Sequence, residues 1–201
     1  CGSMGKKKAE KFDFWTLDEF RTFDEAIGNK VITKTIFNLL YWSGIRSGEL
    51  LALSLRDFDF AARTVTIDKN YARLGKEDLI LEPKTPKSNR TIGIPKRVCD
   101  MVKDYASRLV DYEDGDRLFD VTKGFLYHEM KRISEQSGVK KIRIHDVRHS
   151  HASLLIELGT NILLVSERLG HEDVETTLEI YGHLYPKKDE EVAGRLERLC
   201  A

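Results

Sequence analysis

Apolar positions in this chain recur mostly at intervals of three and four, the period of helices that bury one face. Leu17, Phe20, Phe23 and Ile27 follow the capping-box pattern Thr16-Leu-Asp-Glu19, and Gly28 supplies a stop, so a first helix is predicted there. Val31, Ile32, Ile36, Leu39 and Leu40 continue the pattern to Ser43-Gly44, and Ser47 can then cap a short helix reaching Leu53. The period next changes to two. Arg63-Thr-Val-Thr-Ile-Asp68 alternates with β-branched residues, while Leu79-Ile-Leu81 and Arg90-Thr-Ile-Gly-Ile94 flank a polar turn from Lys84 to Asn89; together they predict three antiparallel strands. Pro95 opens a helix with Val98, Met101, Val102, Tyr105 and Leu109 on one face. Further helices are predicted over Thr122–Gln136, His145–Leu158, Ile162–Leu169 and Val174–Tyr181, with Gly159 and Gly170 as stops, and a last amphipathic helix carries Val192, Leu196 and Leu199.

The 201 residues, 41% of them apolar, suffice for one core and one domain. The 33 basic and 33 acidic residues cancel, so net charge gives no sign of a nucleic-acid partner, and any such partner must be argued from local features. No apolar run approaches the ~18 to 20 residues that cross a bilayer, which points to a soluble, cytoplasmic protein with no membrane partner. Cys1, Cys99 and Cys200 are too few and scattered for a disulfide framework. Cys1-Gly-Ser-Met4 reads as an expression-vector remnant, so residues 1–13 are assigned to that remnant and a charged linker and 14–201 to the folded domain.

The C-terminal half concentrates histidines, Arg148 and two tyrosines within a short span. His145 and His149 stand four apart, as in two-histidine zinc helices, but Asp146 occupies the position where the zinc-protease motif has Glu, and Arg148 places a fixed cation beside the site. No metal is therefore assigned. A plainer reading makes His145–His151 a polar helix start, with Leu154, Leu155 and Leu158 as the buried stripe. Against it stands a set of groups suited to holding a phosphoryl transition state, whose negative charge guanidinium forks can stabilise. Arg46 lies at a predicted helix start, and Arg148 supplies a second fork. Lys84 sits with Lys87, Asn89 and Arg90 in a basic loop that could approach a DNA backbone. Considered alone, Tyr181 would be an ordinary packing residue.

Five segments in order then resemble the tyrosine recombinase, or phage-type integrase, family: Gly44-Ile-Arg-Ser-Gly-Glu-Leu-Leu51; Leu53-Ser-Leu-Arg-Asp-Phe-Asp59; Pro83-Lys-Thr85 through Ser88-Asn-Arg-Thr-Ile92; His145-Asp-Val-Arg-His149; and Leu169-Gly-His171 followed by Thr176-Thr177 and Tyr181-Gly-His183. The resemblance spans about Phe14 to Tyr185 and implies an α+β, mainly helical catalytic fold, with helices around a small three-stranded antiparallel sheet. It implies a site-specific recombinase that cuts and rejoins DNA through a 3′-phosphotyrosyl intermediate, with Tyr181 as nucleophile, His145 as general base and Lys84 as general acid. Arg46, Arg148 and His171 would hold the phosphate, with Glu49, Asp146 and His149 in support. No cofactor is required. Lys87, Arg90, Lys141 and Arg143 are candidate DNA contacts. Tyr185 competes with Tyr181, but Pro186 directly after it marks a helix end and the Thr176-Thr177 match favours Tyr181. The family further implies a separate core-binding domain, double-stranded DNA sites as partner and a tetramer on DNA in the full-length enzyme, with the C-terminal tail either packed in cis as a last core helix or passed to a neighbouring subunit, whereas this domain alone would be monomeric. Competing readings are a type IB topoisomerase, a catalytically silent DNA-binding module and a metal-dependent hydrolase.

Overall fold

A computed structural model describes residues 13–83, 85–113, 115–184 and 189–200. Lys84, Tyr185 and residues 1–12 and 186–188, including the vector remnant, most of the linker and the Pro186 helix stop, lie outside the described residues. The chain opens with α1 (Leu17–Ala26), α2 (Val31–Ser43) and α3 (Ser47–Ala52). Thr16 caps α1 in the capping box its sequence predicts: Glu19 N–H donates to the Thr16 hydroxyl, and Thr16 N–H donates to the Glu19 carboxylate. Gly44 ends α2 at φ +70°, a left-handed conformation that favours glycine.

Strands β1 (Phe58–Asp59), β2 (Thr64–Ile67), β3 (Asn70–Leu74), β4 (Glu77–Leu81) and β5 (Arg90–Gly93) follow. They form a three-stranded antiparallel sheet in the order β1-β2-β5 and a separate β3-β4 hairpin. The predicted three-stranded sheet exists, but its membership differs. Leu79–Leu81 belongs to the hairpin, closed by a two-residue turn with Gly75 at φ +62°, and the short β1 takes its place. The segment from Pro83 to Asn89 therefore links two sheets instead of closing one hairpin. Val65 and Ile67 on β2 and Ile92 on β5 turn into the core.

Helices α4 (Lys96–Ala106), α5 (Lys123–Ser137), α6 (Asp146–Glu157), α7 (Ile162–Leu169), α8 (Val174–Tyr181) and α9 (Asp189–Cys200) complete the α-helices among the described residues. An aromatic layer of Trp15, Phe20, Phe23, Phe37 and Tyr41, with Phe20 stacked on Tyr41 at 3.7 Å, anchors the main core. Trp15 N–H donates to the Ser150 hydroxyl at 2.9 Å, tying the start of the fold to α6. A smaller cluster of Ala152, Ile156, Val165, Leu169 and Tyr181 joins α6, α7 and α8. The predicted leucine stripe of α6 does not form: Leu154 and Leu155 are half-buried and Leu158 is 72% exposed. The helix instead buries Asp146, Arg148, His149, Ser150 and His151, because each finds polar partners in neighbouring elements or in the adjoining turn. On α9, Leu196 and Leu199 are exposed, and the Val192 side chain lies outside the described set.

Candidate active site

The site is organised by the C-terminus of α7. A helix ends with carbonyls that lack intrahelical donors, and its dipole makes that end attractive to cations. Here three arginines from three other elements fill those positions. Arg90 Nε donates to the Arg168 carbonyl at 2.9 Å, Arg148 Nη2 donates to the Leu169 carbonyl, and Arg46 Nη2 donates to the Gly170 carbonyl at 3.3 Å. Gly170 caps the helix at φ +65° and leads directly to His171. The Gly44 carbonyl at the end of α2 accepts from Arg148 Nη1 at 2.8 Å, so two helix termini fix the buried guanidinium.

One carboxylate balances the cluster. Glu49 Oε1 pairs with Arg46 Nη1 at 2.8 Å and Arg90 Nη1 at 3.1 Å, while Oε2 accepts from Arg46 N at 2.8 Å and Arg90 Nη2 at 2.9 Å. Burial by itself would raise the Glu49 carboxyl, but the hydrogen bond and charge of Arg90, then those of Arg46, outweigh it and hold the group below its usual range. Glu49 thus holds Arg46 through both the backbone amide and the guanidinium. Burial, then Arg46, lowers Arg148 to about 9, which leaves it cationic at neutral pH. Three guanidiniums against one carboxylate leave a positive surplus suited to an anion.

Tyr181, at the last position of α8, is fully buried, and its hydroxyl lies 2.6 Å from His149 Nδ1. Burial raises its pKa, with Arg148 opposing the shift. Burial, then His145, lowers His149 to about 4, so its imidazole is neutral at pH 7. His149 Nε2 faces Asp146 Oδ1 at 3.9 Å, which favours a proton on Nε2 and leaves Nδ1 to accept from the tyrosine hydroxyl. His145, the expected base, is exposed and meets the His149 ring edge-on at 5.1 Å; contact with Tyr181 belongs to His149. Among the described residues no three His, Cys, Asp or Glu side chains gather as a metal cluster. His171 pairs through Nδ1 with Thr177 Oγ1 at 2.8 Å, and burial, then Arg148 and Arg46, lowers it to about 3.

Of the four candidate DNA contacts, Arg90 is corrected outright. Its side chain is 7% exposed and engaged with Glu49, because residue 90 already starts β5 and points inward. Lys87 is exposed with its Nζ on the Glu172 carbonyl. Lys141 lies over the Tyr127 ring, and Arg143, 69% exposed, pairs with Asp146. Two braces escaped the sequence reading: Arg168 Nε donates to His151 Nε2 at 2.9 Å, and the His151 ring packs against Gly44 so closely that a Cβ there would sit 2.4 Å from Cδ2. The only sequence signal for them is a glycine in each adjoining turn.

Comparison with known proteins gives the family and the fold. Residues 15–188 match the Phage integrase family. The chain is 33% identical to the ICEBs1 integrase of Bacillus subtilis (strain 168) over 94% of its own length and 55% of that protein's, and 30% identical to the integrase of Staphylococcus phage L54a over 78% and 49%. It therefore spans about half the length of these curated relatives. Among solved structures, the Tn1549 transposon integrase in complex with transposon right end DNA superposes with a TM-score of 0.76 at 22% identity, covering 98% of this chain and 68% of that one. The catalytic domain of bacteriophage HP1 integrase gives 0.65 at 21% identity, covering 92% and 95%. With these folds and the ordered arginine, histidine and tyrosine motifs, the chain belongs to the phage integrase family of tyrosine recombinases.

Proposed function

We propose that residues 14–201 are the catalytic domain of a site-specific DNA recombinase that breaks and rejoins DNA through a covalent 3′-phosphotyrosyl bond at Tyr181. The observation that carries this reading is the set of guanidiniums gathered at the α7 terminus, next to a tyrosine already hydrogen-bonded to a neutral imidazole. In this reading the Tyr181 oxygen attacks the scissile phosphorus, the phenolic proton passes to His149, and the 5′ oxygen leaves with a proton from Lys84. Arg46 and Arg148 hold the non-bridging oxygens, where fixed donors act most strongly as charge develops, and His171 and His145 border the same anion. The bond energy is retained in the phosphotyrosine, so rejoining needs no nucleotide or other cofactor. Lys87, Lys141 and Arg143 contact the DNA backbone without reading sequence.

Double-stranded DNA is the partner, gripped from the other face by a separate core-binding domain of a longer parent. In that parent four copies assemble on DNA in the bacterial cytoplasm, each passing its α9 tail to a neighbour, while the chain alone is a monomer. The exposed Leu196 and Leu199 support the tail exchange. The test is incubation of the parent enzyme with a nicked suicide DNA substrate in EDTA. A covalent adduct followed by strand exchange is expected; no adduct from enzyme that binds the DNA would overturn the reading, and relaxation without partner exchange would reassign it to a topoisomerase.

A further inference from the structure

Arg90 has no part in the chemistry proposed above, yet it is the most completely engaged of the three arginines at the α7 terminus. Both of its Nη groups meet both Glu49 oxygens, at 3.1 and 2.9 Å, in a two-pronged pairing that fixes the carboxylate in plane as well as in distance. Its Nη1 also donates to the Ser88 carbonyl at 2.9 Å, and its Nε to the Arg168 carbonyl at 2.9 Å. The side chain lies flat on Gly170: a Cβ there would come within 2.9 Å of Nη1 and 3.1 Å of Cδ. One residue on β5 thus touches the brace of Arg46, the loop entering β5 and the turn that carries His171.

We propose that Arg90 is a positioning residue: it holds Glu49, and through Glu49 the Arg46 guanidinium, in register with the α7 terminus and His171. The inference rests on the proposed recombinase chemistry and adds a residue to it. Glu49 offers each oxygen to one donor from Arg90 and one from Arg46. With Arg90 removed, the carboxylate keeps only its two Arg46 donors, and its charge, no longer shared with β5, draws that guanidinium away from where a phosphate would sit. Lysine at this position keeps the charge but cannot span Glu49 and the Arg168 carbonyl at once. The Arg90 donors are committed to Glu49 and to the Ser88 and Arg168 carbonyls, which makes it a brace and not a phosphate ligand in this reading.

The parent enzyme distinguishes this role from a backbone contact. Single-turnover cleavage of a suicide substrate at saturating DNA and the salt dependence of DNA binding are measured for wild type, Arg90→Met, Arg90→Lys and Gly170→Ala. Displacing a guanidinium by a fraction of an ångström to an ångström is expected to slow cleavage about 10²-fold. That loss is predicted for Arg90→Met and, to a smaller degree, for Arg90→Lys, with the salt slope unchanged. Gly170→Ala, whose Cβ would displace Arg90 and whose φ of +65° also strains the turn carrying His171, should slow cleavage as well, while Arg90→Lys, which keeps the charge and most of the stem, keeps the inference independent of Arg90→Met folding. A phosphate contact would instead reduce the slope by about one and leave saturated cleavage at the wild-type rate; that pattern overturns the positioning role while leaving the recombinase reading intact. No adduct from wild type overturns both.

Discussion

Tyr181 and His149 meet through a 2.6 Å hydrogen bond in an interior with no solvent access to the tyrosine. The relationship joins the last residue of α8 to the start of α6, and it sets the proposed nucleophile against an imidazole that is neutral across the physiological range. Both shifts arise chiefly from burial, which disfavours the charged form of each partner. The pair therefore rests as phenol and imidazole, and in the proposed chemistry the phenolic proton moves to His149 as the oxygen attacks.

Two substitutions test that pair. Tyr181→Phe keeps the ring packing and removes the hydroxyl, so it is expected to abolish the covalent DNA adduct while costing only about 1 kcal/mol of stability in urea unfolding. His149→Ala is expected to slow single-turnover cleavage by roughly 10²- to 10⁴-fold, the range for loss of a positioned proton acceptor. Its larger effect than His145→Ala would separate the two histidines. Faster cleavage by the His149 variant would instead identify the hydrogen bond as a restraint on the tyrosine.

Acid sensitivity follows from the buried histidines. In the folded chain His149 is lowered to about 4, and His151 and His171 to about 3, by burial first in each case. The unfolded chain, with histidines near ~6.5, binds more protons between those values, so stability is complete above about pH 6.5 and falls as pH drops toward 3 to 4. Glu129, held at about 2 chiefly by its hydrogen bond to Arg132, adds loss only below the ordinary carboxylate range. Urea midpoints at pH 7.5 and 5.0 should differ by an unfolding free energy on the order of a few kcal/mol, and His151→Gln should flatten the difference. Equal midpoints for the wild type would refute the assignment.

Much of this arrangement was legible where it depended on local signals. Thr16 and Glu19 fix the start of α1, and Gly159 and Gly170 bracket α7 between Ile162 and Leu169 as read. Pairing across distance was not legible. β2 joins β5 over the intervening hairpin, and nothing in Leu79–Leu81 says that its partner is Asn70–Leu74. α6 misled for a related reason: beside Val147, Ala152 and Ile156 it buries polar residues held by partners on other elements, so hydrophobic periodicity alone does not define its inward face. Arg90 read as a loop cation because Lys87 and Asn89 precede it, although its carboxylate partner lies on α3. The motif residues Arg46, Arg148 and His171 do gather at the α7 terminus.

Gly44 illustrates how packing constrains the first arginine motif. At φ +70° an alanine would pay roughly 1 to 2 kcal/mol for the left-handed backbone, and its Cβ would also press on the buried His151 ring at 2.4 Å. Adding roughly 1 to 3 kcal/mol for overpacking, Gly44→Ala is expected to lose roughly 2 to 5 kcal/mol. Gly28 has a similar φ of +66° but nothing within 4 Å of a Cβ, so Gly28→Ala should show the backbone penalty alone. Thermal unfolding of the two variants side by side measures the difference; equal losses would mean that His151 yields without cost.

The proposed exchange of tails predicts that the apolar residues of α9 matter to assembly and not to the single chain. Leu196 is 56% and Leu199 84% exposed, and a second set of apolar side chains stands uncovered on the other helices: Leu158 at 72%, Leu163 at 56%, Leu164 at 55% and Leu178 at 47%. Apolar surface of this kind gains roughly 25 cal/mol for each Å² removed from water, so tail and acceptor would stabilise an assembly when brought together by DNA. Leu199→Glu should leave the unfolding free energy of the isolated chain within about 0.5 kcal/mol of wild type, as expected for an exposed site. In the parent enzyme the same change should weaken multimer formation on DNA, measured by sedimentation, while binding to a single half-site is retained. A loss of more than about 1 kcal/mol in the isolated chain would place the tail in its own subunit's fold, since only a side chain already packed there is destabilised by the charge.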